Sequence, residues 1–412
     1  MGVCGLKTDD LPLDIQPGIL RPQLDALLYA AYQVGASDIS IQTNDYIVFM
    51  VSGVQIKASR RTVQENEIAS IVSALYGING AALISQGQPL DGRYEIAPSR
   101  GEKVGFRVNI LPSRVDGNDT AISITMRVLP KNPPRIETMF VPSEIVMNAM
   151  PRNGLVVIAG VTSSGKSTLI AGLIRYAYEL NRSNDITAAG RKIITYEAPV
   201  EYVYDGIDTP GTKISQTEIG GNSNGLKTWG EAVETAMRRA SSIVLIGECR
   251  DGHTIDGCIS MALTGHCTMT TVHADRVGVA FRRMVAMAAA VGGGNDSVSE
   301  RLLGSLSMIV VQTLCPKIGG GRIALREWIV ITKSLQTELF SLPASSIANE
   351  LQKEVIRRGT SMGHSAKMAF EAGVITLTDA CAFSGLTSFE LNALEINLER
   401  FAGFNGGENA TA

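Results

Sequence analysis

The chain has 412 residues, with 37 Lys and Arg against 40 Asp and Glu, a net charge of −3 and 45% apolar residues. That length and apolar share suit two or three folded domains with real cores. The near-neutral balance, without a long Lys or Arg run, argues against direct nucleic-acid binding through a basic face. The six cysteines (Cys4, Cys249, Cys258, Cys267, Cys315, Cys381) form no CxxC pair, and the four histidines do not cluster with them. No structural zinc site and a reducing compartment are expected. No apolar stretch approaches the roughly 18 residues that a membrane helix needs, and MGVCGLKTDD lacks the charged and apolar regions of a leader. A soluble chain, or one peripheral to a membrane, is expected. Cys4 beside Gly2 is read as a tail residue, because Leu6 stands where a myristoylation pattern wants Ser or Thr.

In chain order, residues 1–21 are expected to be flexible, and residues 22–129 form a first α+β domain. Leu24, Leu27, Leu28 and Ala31 have helical spacing. Ser40 to Gln42 and Tyr46 to Val51 read as strands around Asn44-Asp45, and Ile68 to Leu75 as a helix. Gly105 to Leu111 and Ile122 to Leu129 read as further strands. Pro130, Pro133 and Pro134 mark residues 130–140 as a semi-rigid linker.

Residues 141–334 alternate apolar runs with helical stretches, the pattern of an α/β domain with a parallel sheet. The strands are placed at Leu155 to Ala159, Lys192 to Tyr196, Ile243 to Ile246, Thr268 to Val272 and Met308 to Leu314. Gly319-Gly320-Gly321 then turns the last of them into a hairpin with Arg322 to Ile331. Residues 335–402 read as helices over Ile347 to Arg358, His364 to Ala372, Leu377 to Phe383 and Phe389 to Phe401. Residues 403–412 read as a disordered tail. Trp229, Trp328 and the Met284 to Met287 run are expected to serve packing.

Within the second domain, GLVVIAGVTSSGKST (Gly154 to Thr168) is a strand running into GxxxxGKS, the P-loop pattern. Gly160 and Gly165 allow Val161, Thr162, Ser163 and Ser164 to curl their N–H groups inward around phosphates. Lys166 is placed to reach the β- and γ-phosphates of ATP, and Ser167 to bind Mg2+, with Thr168 completing the nucleotide-binding segment. Leu169, Ile170, Leu173, Ile174, Ala177 and Leu180 give that helix its apolar face, and its N-terminus favours anions.

In an open α/β sheet, ligands sit beyond the carboxyl ends of the strands. Glu197 follows one candidate strand, Glu248 a second and His273 a third. Either carboxylate can hold Mg2+ or orient the attacking water. His266 and His273 share one polar stretch after Glu248 and are candidates for catalysis, whereas Glu201 reads equally as a functional group and as a side chain that is merely solvated or paired with a neighbour. Arg107, Arg114 and Arg127, in or beside strands of the first domain, could supply a guanidinium to the γ-phosphate, in trans if the chain forms a ring; surface charge is the competing reading.

The ordered segments ASDISIQ, FRVN, GVTSSGKST, ITYEAPVEYVYDG, IVLIGECRD, TGHCTMTTVHA, QTLCPKIGGGR and RRGTSMG, within residues 24–385, resemble the PilT-type secretion and pilus ATPases. The resemblance is closest to the DotB/TraJ branch tied to type IV secretion and conjugative plasmid transfer. It implies a PAS-like N-terminal domain, a RecA-like ATPase core and a homo-hexameric ring. It also implies docking on inner-membrane complex proteins at the cytoplasmic face. By matching positions, Glu197 and Glu248 stand as the Asp-box and Walker B acids, and His266 and His273 as the His-box pair. Arg107, Arg114 and Arg127 stand as the N-domain arginines, and Arg238 as an arginine of the helix before Walker B. The chain departs from the pattern at Ala198, at Ala240-Ser241-Ser242 and at Leu263, where many relatives carry acids. Alternatives are a pilus retraction or assembly motor, a RecA-like nucleic-acid translocase, and a scaffold that binds ATP without turnover.

Overall fold

The structure, a computed structural model, describes residues 7–115, 118–130, 132–180, 192–205, 207, 213–220, 225–239 and 241–396. The expectations for Cys4, for the 403–412 tail, for Ala240 and for the stretch of the expected last helix from residue 397 onward fall outside those residues. The chain divides into two compact units: residues 1–132 with 198–203 and 218–227, and the remainder.

The first unit is built on a six-stranded antiparallel sheet, order β3-β2-β1-β6-β5-β4. Its strands are β1 (Ala36–Gln42), β2 (Tyr46–Val51), β3 (Val54–Thr62), β4 (Leu90–Ser99), β5 (Glu102–Val115) and β6 (Asn118–Val128). Phe106, Val108 and Ile110 alternate with Arg107, Asn109 and Leu111, so β5 presents one apolar and one polar face. The apolar face meets helices Arg21–Gln33 and Glu65–Tyr76 through Leu24, Leu28, Ile68, Ile71 and Val72. Strands β3 and β4 were not anticipated. VQIKASRRT lacks alternation because it is an edge strand, and Gly92 and Pro98 interrupt the pattern of the other edge.

The expected flexibility of residues 1–21 is corrected from Leu11 onward. Leu13 bridges Ser59, Ile19 is buried, and Arg61 donates to the carbonyls of Ile15 and Gln16. Buried Glu67 organises this attachment: it accepts two bonds of 2.7 Å from Arg61, one of 2.6 Å from the Gly18 N–H and one of 2.9 Å from the Gln64 N–H.

The second unit carries a seven-stranded sheet, order β13-β12-β7-β11-β10-β8-β9. The strands are β7 (Gly154–Ala159), β8 (Lys192–Glu197), β9 (Lys213–Glu218), β10 (Ile243–Ile246), β11 (Cys267–Val272), β12 (Leu306–Pro316) and β13 (Arg322–Val330). Strands β12, β7, β11, β10 and β8 run parallel, and β13 pairs antiparallel at one edge. Every residue of β7, β10 and β11 is buried, as in a sheet covered on both faces. Trp328 is fully buried and donates its indole N–H to Glu144 at 2.9 Å, whereas Trp229 is only half-buried. Polar β9 was not anticipated, being a short edge strand without apolar periodicity. The C-terminal helices are Lys333–Phe340, Ala344–Arg357, Met362–Glu371, Leu377–Ser384 and Ser388–Ala393. The last stops at Ala393, short of the expected extent, because Leu394 is already extended at ψ 134°.

Arg61 lowers the Glu67 carboxyl to about 2, against the opposing effect of burial. A depressed folded value stabilises the protein above the ordinary 4.5, and that contribution disappears as pH falls toward about 2. Glu67→Gln is expected to lower unfolding free energy by about 2 kcal/mol at neutral pH. Urea titration at pH 7 and pH 3 should show the difference between variant and parent shrinking at the lower pH.

Candidate nucleotide site

The turn after β7 is shaped by positions that tolerate no side chain. Gly160 takes φ +154°, and a Cβ there would stand 2.4 Å from both the Gln312 carbonyl oxygen and Ser164 Oγ. Gly165 takes φ +83°, where a Cβ would meet Gln312 Nε2 at 2.8 Å. Ser163 adopts φ +61° without being glycine, a strained conformation of the kind concentrated at ligand sites. These alternations aim successive N–H groups into one concavity, which suits a phosphate chain. Helix Lys166–Leu180 begins at once and adds its N-terminal dipole. Lys166 Nζ donates to the carbonyls of Gly160 at 2.9 Å and Val161 at 2.8 Å, which holds the ammonium over the loop. Val161, Thr162 and Ser167 are exposed.

Glu248 lies just beyond β10 and Glu197 closes β8, both at the sheet edge that carries the P-loop. Strand spacing of about 4.8 Å puts Glu248 two strands, roughly 10 Å, from the β7 line, and Glu197 one strand farther. Glu248 accepts from Arg250 Nε at 2.8 Å and contacts His273 Nε2 at 3.1 Å. Burial raises its carboxyl, but Arg250 and His273 together outweigh burial and leave it below the usual range. It is therefore ionised at neutral pH. Glu197 accepts from Thr195 Oγ1 at 2.6 Å and Gln216 Nε2 at 3.2 Å.

His266 and His273 are not neighbours. One precedes β11 and the other follows it, and six residues at about 3.3 Å each separate them by some 20 Å. His266 Nδ1 lies 3.2 Å from the Met261 carbonyl, on the sheet edge away from Lys166. Within one chain, only His273 joins the P-loop and Glu248. Arg238 is exposed at the end of helix Trp229–Met237.

In the first unit, Arg107 and Arg127 are direct cross-strand partners, and so are Arg93 and Arg107. Three guanidinium-bearing positions thus form one row on the polar face of β4, β5 and β6. Arg114 lies apart, near the end of β5. Directly opposed like charges repel. Carboxylates offset this: Glu95 lies 3.1 Å from Arg93, Glu201 3.5 Å from Arg107 and Asp38 2.8 Å from Arg127. Glu201 therefore takes the paired role. Arg93 was missed because β4 was missed; its guanidinium lies over Gly105, where a Cβ would meet Nη2 at 2.7 Å.

The glycine cradle, the ammonium and the helix start fit a nucleoside triphosphate. Ser167, Glu248 and Glu197 are the oxygen donors available for Mg2+, which usually completes its shell with phosphates and water. Gly160→Ala is expected to destabilise the protein by at least about 2 kcal/mol, because its Cβ meets backbone that cannot swing aside. A thermal melt with and without ATP checks this: Tm should fall by several degrees, and the stabilisation by ATP should vanish.

A profile of the family described as Type II/IV secretion system protein matches residues 15–367. The X-ray structure of the Legionella pneumophila ATPase DotB superposes with a TM-score of 0.81 at 33% identity, covering 91% of this chain and 99% of that one. The uncharacterized protein YggR of Escherichia coli K12 is 31% identical over 245 residues, 60% of this chain and 69% of its own length. Type II secretion system protein E of Aeromonas hydrophila is 28% identical over 318 residues; they make up 75% of this chain but only 57% of that protein. The mixed α/β architecture with C-terminal helices is that of DotB. The chain belongs to the Type II/IV secretion system protein family.

Proposed function

We propose that this chain is the motor of a bacterial type IV secretion or plasmid conjugation system. In this reading it is a homo-hexameric ring, peripheral at the cytoplasmic face of the inner membrane, that hydrolyses ATP to move docked protein partners. ATPase is the activity printed for DotB, and membership of the secretion family together with likeness to DotB over nearly the whole chain favours a secretion motor. The observation that carries the chemistry is the glycine cradle at one sheet edge with the Glu248–His273 pair. Among the described residues no helix is long and apolar enough to cross a membrane, so attachment is assigned to partner proteins.

The P-loop N–H groups bind the phosphates, and Lys166 exchanges its carbonyl partners for phosphate oxygens. Mg2+, when bound, would neutralise phosphate charge; Ser167 would hold it directly, with Glu248 and Glu197 acting through water. Ionised Glu248 orients the attacking water and accepts its proton, while His273 fixes the carboxylate. Arg107, Arg127 and Arg114 are assigned to phosphate contact in the assembled ring. The division at residues 130–140 is assigned to the linker between moving parts.

Lys166→Ala is expected to abolish ATP binding. Glu248→Gln should bind ATP yet lose turnover by about 10²- to 10³-fold, with Tm unchanged in both. Phosphate release and equilibrium binding measure this, with and without the partner membrane complex. A folded wild-type chain that never hydrolyses ATP would overturn the proposal. DNA-stimulated, strongly salt-sensitive turnover would point instead to a translocase.

A further inference from the structure

The β12–β13 hairpin contains a charge that the chemistry above leaves unused. Arg326 is 3% exposed, on a strand at the edge of the parallel sheet. Its Nε donates to Gln312 Oε1 at 2.8 Å, Nη1 to the Phe140 carbonyl at 3.0 Å and Nη2 to the Met139 carbonyl at 3.3 Å. All three acceptors are neutral. Among the described residues no carboxylate forms an ion pair with it; the adjacent Glu327 is taken up by the N–H groups of Val277 and Met362 and by Gln352. Burial pulls the guanidinium down to about 10, which still leaves it charged at neutral pH. A buried cation without a counter-ion is costly, and a fold that keeps one generally has an anion for it.

Gln312 connects that cation to the P-loop. Its Nε2 donates to the Ser164 carbonyl at 2.8 Å. The amide is thus gripped at both ends, by guanidinium on one side and phosphate loop on the other. A hydrogen bond from a cation to the amide oxygen polarises the N–H groups at its other end, which transmits positive potential to the loop. The anion nearest to this arrangement is one bound in the cradle of Gly160 and Gly165.

We propose that Arg326 is a positioning residue for the nucleotide: a buried counter-charge, one amide behind the P-loop, whose anion is the bound phosphate chain rather than a carboxylate of the protein. This rests on the P-loop reading given above. The benefit scales with phosphate charge, so ATP gains more than ADP.

Calorimetric binding of ATP and ADP to the full chain tests this in the wild type, Arg326→Met, Arg326→Lys and Gln312→Glu, with Lys166→Ala as control. Arg326→Met is expected to weaken ATP about tenfold and ADP only about threefold. Arg326→Lys keeps the charge and should hold the ATP-to-ADP affinity ratio within about twofold of wild type. Gln312→Glu sets a carboxylate beside the guanidinium and takes the donor away from the Ser164 carbonyl; ATP binding should weaken more than ADP binding. A merely structural role leaves the affinity ratio unchanged. Should Arg326→Met not fold, Arg326→Gln, uncharged yet able to donate to Gln312, takes its place. An unchanged ratio in a folded variant that removes the Arg326 charge, with a wild type that binds nucleotide, overturns this inference only. A wild type that fails to bind ATP, or binds it no better than Lys166→Ala, overturns the P-loop reading and this inference with it.

Discussion

The second unit depends on one close approach between neighbouring backbones. Where β7 ends, Gly160 passes so near the carbonyl of Gln312 that even a methyl group would collide with it. That contact lets the chain leave the sheet, reverse through left-handed Ser163 and enter the helix at Lys166 within six residues. Strong burial of β7 between β11 and β12 holds the strand while the turn carries its strain. The glycines are thus demanded first by packing against β12. The phosphate-shaped concavity is the result.

Much of the fold was legible where burial is two-sided. GLVVIA, IVLI and CTMTTV are continuous apolar or small runs, and each is a buried parallel strand with a candidate functional segment at its carboxyl end. What escaped was the periphery. Strands β3, β4 and β9 lie at sheet edges, where one row of backbone groups faces outward and side-chain pattern weakens. Losing β4 also hid Arg93, since its place in the arginine row follows from register with Arg107 and from nothing local.

The candidate site was legible to the extent that sheet topology is simple. Glu197, Glu248 and His273 each follow a parallel strand, so order along the chain converts directly into a shared edge. His266 looked like their companion because only six residues separate it from His273, yet those six residues are a strand, and its two ends belong to different edges. Gln312 offered a signal that was not weighed: an amide inside the apolar run MIVVQTL, where a polar side chain needs a specific partner. Residues 11–21 were misjudged for a similar reason, because their order comes from Arg61 and Glu67, some 50 positions downstream, rather than from their own composition.

The hairpin of β12 and β13 pairs nine successive residues, Met308 with Val330 through Pro316 with Arg322, without a bulge. Such a ribbon, about 30 Å long, resists bending. One strand lies beside β7, and the other receives Thr360 and Ser365 through bonds to Trp328 and Arg326. One continuous ribbon therefore touches the strand that feeds the phosphate turn on one side and the C-terminal helices on the other. The hairpin is in this sense a shared wall: neither the turn after β7 nor helix Met362–Glu371 can be repacked without meeting it.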